Sequence, residues 1–156
     1  MKKSLFALIA SIAFASTAFA QITVTEPWVR ATVPAQKASG AFMQVRSADA
    51  ARLVSASSPV AKSVEIHQME MHGQTMKMRE VDGIDLPAGQ TVNLASGGFH
   101  IMLVGLNKQL NEGESVPLSL VVQRKGKNET VVVNAPVKAL TFAAPKPAAG
   151  EHAHQH

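Results

Sequence analysis

Turn-forming residues interrupt this sequence at short intervals, and this spacing limits the possible fold more than any other feature. Clusters of glycine, proline and asparagine separate runs of alternating apolar and polar residues, roughly every eight to twelve residues. Strands of this length and spacing are typical of β-sandwiches and barrels. Beyond residue 20, no stretch has a convincing helical period. The sequence therefore predicts an all-β sandwich or barrel.

The alternating runs define the expected strands and their connections. The first strand, or strand pair, is broken and covers 22–31, and the runs 40–47 and 51–58 are expected to form a hairpin. The later runs follow one another in three pairs, and a loop that contains glycine joins the two members of each pair. The pairs are 63–71 with 75–81, 91–95 with 99–106, and 116–124 with 129–137.

Residues 1–20 have the composition of a signal peptide. A basic pair precedes an apolar run at 5–14, and the small residues at 18–20 form a cleavage signal, so the mature chain is expected to begin at Gln21. The apolar run is short for a membrane span, and the chain has no cysteine for lipid attachment. We therefore predict a periplasmic protein with no stable membrane insertion after cleavage.

The rest of the chain is expected to form one domain at 21–143 and a flexible tail at 144–156. A domain of this length buries about two-thirds of the surface that its unfolded chain exposes. The tail is rich in alanine and proline and then in histidine. It has too few apolar residues to join a core, and such a composition is typical of disorder.

The absence of cysteine narrows the chemistry. An exported domain without disulfides depends on its hydrophobic core for stability. Blue-copper sites, dithiol redox sites and thiolate zinc sites all need cysteine sulfur, and this sequence has none. Any metal site in the chain must therefore use histidine, methionine and carboxylate side chains.

Two other functional classes have little support in the sequence. Aromatic residues make up only 4% of the chain, and its 15 basic residues form no stripe, so nucleic-acid binding is not expected. No acid–base pair or activated nucleophile stands out either. We therefore expect a binding protein and not an enzyme.

Histidine and methionine are concentrated in one predicted hairpin, which holds two histidines and four of the chain's seven methionines. Side chains alternate between the two faces of a strand. The first strand of this hairpin therefore presents Glu65, His67, Met69 and Met71 on one face. The second strand presents Met76 and Met78 together.

A second group of such side chains lies on the predicted strand 99–106. His100 and Met102 share one face of this strand, and the other face is apolar and forms an ordinary core stripe. If this strand lies close to the hairpin, its two donors converge with His67 and Met78.

Two thioethers and two imidazoles suit one ion in particular. Thioether sulfur is a soft, neutral ligand that favours Cu(I), and imidazole also binds copper. Zn(II) prefers harder or charged ligands, and Ca(II) and Mg(II) prefer oxygen. If these four side chains bind a metal, we expect Cu(I).

The other methionines and His72 have more than one interpretation. Met69, Met71 and Met76 are candidates for auxiliary metal ligands, but they would also serve as a solvent gate or as packing. His72 is either an auxiliary ligand or a polar residue of the hairpin loop. Met43 lies in an apolar strand and is interpreted as a core residue.

The spacing of the four donors resembles that of the PCuAC family of periplasmic copper chaperones. Ten residues separate His67 from Met78, 21 residues separate Met78 from His100, and one residue separates His100 from Met102. The whole block 64–106 is similar to the central part of the family. Further similar segments are 27–32 and 135–137.

The resemblance implies a cupredoxin-like Greek-key β-sandwich with a single exposed Cu(I) site. It also implies that the protein delivers copper to cytochrome c oxidase assembly, in particular to the copper A centre of subunit II, alongside Sco-type proteins. The ligands that the family pattern implies are His67, Met78, His100 and Met102.

Some members of the family carry a C-terminal extension rich in histidine and methionine. In this chain the tail contains His152, His154 and His156. Alternate histidines on a flexible segment suit Cu(II), which prefers nitrogen ligands. We expect weak Cu(II) binding by the tail, with a merely solubilising tail as the alternative.

Other functions are consistent with much of the same pattern. The protein would sequester copper, and so confer resistance, if its site had no specific recipient. A β-sandwich interaction module that binds no metal is a third possibility. The copper content of the purified protein separates the third possibility from the first two.

Overall fold

The computed structural model describes residues 21–145, and every regular element in that range is a β-strand. The predicted signal peptide at 1–20 and residues 146–156 of the predicted tail lie outside the described residues. None of the described residues belongs to a helix that is long and apolar enough to cross a membrane. The strands are β1 Ile22–Arg30, β2 Ala38–Ser47, β3 Ala51–Ser57, β4 Ala61–His72, β5 Thr75–Glu80, β6 Ile84–Leu86, β7 Thr91–Leu94, β8 Phe99–Leu106, β9 Ser115–Arg124 and β10 Lys127–Lys138.

The strands form two layers around one hydrophobic core. The first layer has the order β5-β4-β8-β2-β1, with β7 also paired to β2, and the second has the order β10-β9-β3-β6. A short parallel contact between β1 and β10, with Val29 opposite Val137, connects the layers. Met43, Ile101 and Leu118 are among the residues buried between them. The predicted all-β sandwich and the core position of Met43 are confirmed.

The hairpins with clear turn signals form as predicted. β4 pairs with β5 around the loop at Gly73, and β9 pairs with β10. Lys125 and Gly126, which connect β9 to β10, both have positive φ angles. Two-residue hairpin turns of this kind match the right-handed twist of the strands that they join.

The hairpin predicted between 40–47 and 51–58 does not form, and that prediction is wrong. Both segments are strands, but β2 pairs with β1, β7 and β8, whereas β3 pairs with β9 and β6. The connection at 48–50 has no glycine for a tight turn. It crosses from one layer to the other, so that each strand buries its apolar face from its own side of the core.

The break predicted in the first strand is present. The pairing of β1 with β2 changes register between Thr25 and Trp28, and Glu26 has a φ of 50°. After this bulge Trp28 is opposite Phe42, and the centroids of their rings are 4.5 Å apart. The bulge therefore places an aromatic pair on the outer face of the first layer.

β7 and β8 follow one another along the same edge of β2. β7 pairs with residues 43–46 of β2, and β8 pairs with residues 38–41. The loop between them is closed by a 2.8 Å hydrogen bond from the Ala95 amide to the Phe99 carbonyl. The Gly98 carbonyl in this loop accepts a hydrogen bond from the Met69 amide at 3.1 Å, which ties the start of β8 to β4.

Candidate metal centre

Pairing of β4 with β8 brings the predicted donors of these two strands together. His67 is opposite His100, and Glu65 is opposite Met102. Residues directly opposite each other in an antiparallel pair have side chains on the same face. Ile101, between the two donors of β8, is completely buried in the core. The donors therefore lie on the outer face of the first layer.

The hairpin β4–β5 brings the thioethers to the same face. Met69 is opposite Met78, and Met71 is opposite Met76. Because Met69 and Met71 follow His67 at intervals of two residues, all four sulfurs share its face. The structure thus gathers the methionines of both strands on one surface, as expected from the predicted hairpin.

Met78 and His100 are in direct contact. The Met78 Sδ lies 3.1 Å from the His100 Nε2, and the rings of His67 and His100 are 5.8 Å apart between centroids. His100 is only 4% exposed, whereas Met78 is 49% exposed. Met102 is half-buried on the same face. The four predicted ligands therefore lie together, with Met78 on the solvent side.

The hydrogen bonds of His100 determine which of its nitrogens is free. Its Nδ1 lies 3.2 Å from the Gly98 carbonyl oxygen, which can only accept, so Nδ1 carries the proton. Burial lowers the pKa of His100. The hydrogen bond to Gly98 opposes this shift, and the nearby His67 ring lowers the pKa further. In the neutral ring, Nε2 presents its lone pair to the Met78 sulfur. Two soft donors thus face each other with no proton between them.

His67 is held in a similar way by Glu65. The Glu65 Oε2 lies 2.8 Å from the His67 Nε2, and a carboxylate accepts, so Nε2 carries the proton. The other nitrogen, Nδ1, is buried and has no hydrogen-bond partner in the described part of the chain. Each ring therefore donates its N–H to an oxygen and keeps one free lone pair, as histidines that bind metals usually do. This donor set fits a soft metal ion.

Glu65 is the residue that the sequence analysis missed as part of the site. It stands two residues before His67, so the same alternation places it on the donor face. Alternation does not say which neighbour a carboxylate will contact, and the sequence left Glu65 without a role. In the structure it orients His67 and adds one negative charge beside otherwise neutral donors.

Aromatic rings form an apolar wall beside the donors. The Phe42 ring lies 6.3 Å from the His100 ring between centroids, and the Trp28 ring lies 4.5 Å from the Phe42 ring, tilted by 34°. Phe42 covers Gly40, because a Cβ added at Gly40 would lie only 2.5 Å from the Phe42 Cζ. Gly40 is itself opposite Met102. A side chain at this position would displace the Phe42 ring, since a separation of 2.5 Å is too short for two non-bonded carbon atoms.

His72 is on the opposite face of the hairpin. It pairs with Thr75 at the end of β4, and its Nε2 is 3.7 Å from a Glu70 carboxylate oxygen. Glu70 also forms an ion pair with Arg79. The structure therefore does not bring His72 to the donors, and it places this residue at the end of β4, next to the turn at Gly73.

The predicted Cu(II) ligands His152, His154 and His156 lie outside the described residues. The described chain ends at Pro145, in a groove of about 420 Å³ that Phe42 also lines. Within residues 21–145, no three His, Asp or Glu side chains are grouped so that they could hold a metal ion. The donor group on the outer face consists of imidazoles together with thioethers.

Sequence comparisons identify relatives along almost the whole described domain. Residues 22–137 match the family described as “Putative lipoprotein LpqE-like”. The chain is also 32% identical over 123 residues to “Putative lipoprotein Lxx21020” of Leifsonia xyli subsp. xyli, covering 78% of this chain and 72% of that protein.

Solved structures agree with this match. The copper-bound PCuAC domain from PmoF2 is 27% identical with a TM-score of 0.63, covering 78% of this chain and 96% of that domain. The Cu(I) form of DR1885 from Deinococcus radiodurans is 29% identical with a TM-score of 0.57, covering 79% of this chain and 81% of that chain. The predicted cupredoxin-like fold is confirmed. The chain belongs to the LpqE-like family, which is the family of the PCuAC domains.

Proposed function

We propose that this protein is a periplasmic copper metallochaperone that binds Cu(I) at this centre. The observation that carries the proposal is the 3.1 Å approach of the Met78 sulfur to the unprotonated nitrogen of the buried His100. The proposed ligand atoms are His67 Nδ1, Met78 Sδ, His100 Nε2 and Met102 Sδ. The copper-bound PmoF2 domain and the Cu(I) form of DR1885 support the choice of ion.

The donor set favours Cu(I) over divalent ions. Four neutral N and S atoms match a soft, monovalent cation, and the carboxylate of Glu65, which is hydrogen-bonded to His67, balances its charge. The donors lie on the face of a sheet and not inside the core, and Met78 is half exposed. An incoming ligand from another protein can therefore displace Met78 first and draw the ion out by ligand exchange. This is binding and release, without a catalytic step.

Export to the periplasm is supported by the leader and by the relatives. Both the matched family and the curated relative are described as lipoproteins. This chain has no cysteine for lipid attachment, and residues 1–20 have the pattern of a cleaved signal peptide. We therefore propose a periplasmic protein that is released after cleavage.

The proposed recipient is the copper A centre of cytochrome c oxidase subunit II, reached directly or through a Sco-type protein. In a deletion strain grown at low copper, the oxidase should lose copper. The wild-type gene should restore it, and a gene carrying Met78→Leu and Met102→Leu should not. Normal oxidase copper together with reduced tolerance to added copper would instead favour sequestration without a recipient.

The tail is proposed to bind Cu(II) separately from the core. Pro145, where the described chain ends, lies in the groove lined by Phe42, so the tail starts on the same side as His100. Nitrogen donors suit Cu(II). Deleting residues 151–156 should remove weak Cu(II) binding and leave Cu(I) binding unchanged, as measured by titration of each ion. Unchanged Cu(II) affinity would leave the tail without this role.

A further inference from the structure

We propose that Met71 and Met76, at the tip of the β4–β5 hairpin, form a second and weaker Cu(I) site. This outer site would pass the ion to the inner site at His67, Met78 and His100. Binding at the tip stands on its own geometry. Only the transfer step rests on the proposed function of the inner site.

The register of the hairpin places the two sulfurs within reach of one ion. Met71 and Met76 are directly opposite each other, and the Cβ atoms of such pairs are about 4.5–5.5 Å apart. Methionine is unbranched and has three rotatable bonds, so both sulfurs can turn towards a common point. Two thioethers make a neutral, soft pair of ligands for Cu(I).

The two methionines do not serve the core. Met71 is 61% exposed and Met76 is 47% exposed. An exposed hairpin is better stabilised by β-branched or aromatic residues, which favour strands. Packing therefore does not explain why Met71 and Met76 occupy these positions, whereas ligation of an ion by sulfur requires that both side chains be accessible.

The donors form a row that leads from solvent to the buried ring. The tip pair Met71 and Met76 is followed by the pair Met69 and Met78, about 7 Å further along the strands. Met78 in turn touches His100, which is 4% exposed. An ion can therefore move inward by exchanging one thioether at a time, from a weak site to a stronger one that adds imidazole.

The charges on the hairpin favour a cation on this face. Lys77 is opposite Glu70, and Arg79 is ion-paired with Glu70. By strand alternation these three residues lie on the face opposite the methionines. On the methionine face, Glu80 is opposite His67 and contributes a negative charge. No basic residue of the hairpin thus stands between the tip and the inner site.

The test follows each methionine separately. The mature protein, labelled with ¹³C at the methionine methyl groups, is titrated anaerobically with Cu(I) and, in parallel, with Ag(I) as a redox-stable probe. The first equivalent should shift the methyl signals of Met78 and Met102. A second, weaker equivalent should shift those of Met71 and Met76.

The variant with Met71→Leu and Met76→Leu should lose the second equivalent and keep the first. It should also take up Cu(I) more slowly from a small-molecule complex. Met43→Leu, which changes a buried methionine on the inner face, is the matched control and should bind both equivalents. A single equivalent in the unmodified protein, or a second one that leaves the Met71 and Met76 signals unmoved, would overturn the proposal. Unmoved Met78 and Met102 signals would instead reject the inner site, so the two failures are distinguishable.

Discussion

Replacing Met78 and Met102 together by leucine should weaken Cu(I) binding by more than about 100-fold, because even changes outside the direct ligands of a metal typically cost 10–100-fold. Both sulfurs lie on the outer face, with Met78 against His100. Leucine has nearly the volume of methionine but no donor atom, and such swaps usually cost less than about 1.5 kcal/mol of stability. The measurement is an anaerobic titration against a chromophoric Cu(I) chelator.

Met43→Leu is the control for this experiment. Met43 is 2% exposed, and it faces the core from β2. The same chemical change there should leave Cu(I) affinity unchanged. If the variant with both outer leucines binds Cu(I) as tightly as the unmodified protein, the thioethers are not ligands, and the proposed site is wrong.

Ile101→Ala should destabilise the fold by about 2–5 kcal/mol, as removal of a large buried aliphatic side chain usually does. Ile101 is completely buried and lies opposite Ile66 on β4 and Ala41 on β2. The alanine would leave a cavity in the centre of the first layer. The measurement is urea unfolding of the metal-free protein at equilibrium.

Ile101→Val is the matched, milder change and should cost about 0.5–1.5 kcal/mol. Its side chain faces the core, although both neighbours in the chain are proposed ligands. The folded valine variant should therefore bind Cu(I) with unchanged affinity. A loss of less than 1 kcal/mol for the alanine variant would contradict the burial of this position.

These two experiments separate the two faces of β8. Met102 and His100 face outward and should govern the metal, whereas Ile101 faces inward and should govern stability. Alternating side chains on one strand thus divide the two tasks between neighbouring residues. We therefore expect the outward-facing substitutions to change Cu(I) affinity without changing stability, and the Ile101 substitutions to change stability without changing Cu(I) affinity.

Glu65 and Phe42 illustrate why the surroundings of the site were not predicted. Neither residue belongs to a recognisable motif in the sequence, and their roles depend on contacts with His67 and His100. Those contacts arise only when β2, β4 and β8 lie side by side. The choice of free nitrogen on each imidazole likewise depends on oxygen acceptors that the spacing of donors does not reveal.

The sequence by itself determined nine of the ten strands in the described part of the chain, all except the short β6, and also which side chains share a face of a strand and which donors are available. These properties follow from local backbone geometry, since side chains alternate along any strand and turn residues end it. Only the tertiary structure decided that β8 lies between β2 and β4, that β2 and β3 separate into different layers, and that Met78 meets His100. Which strands pair depends on the total burial and hydrogen bonding of residues that are far apart in the chain. A local sequence pattern does not carry this information.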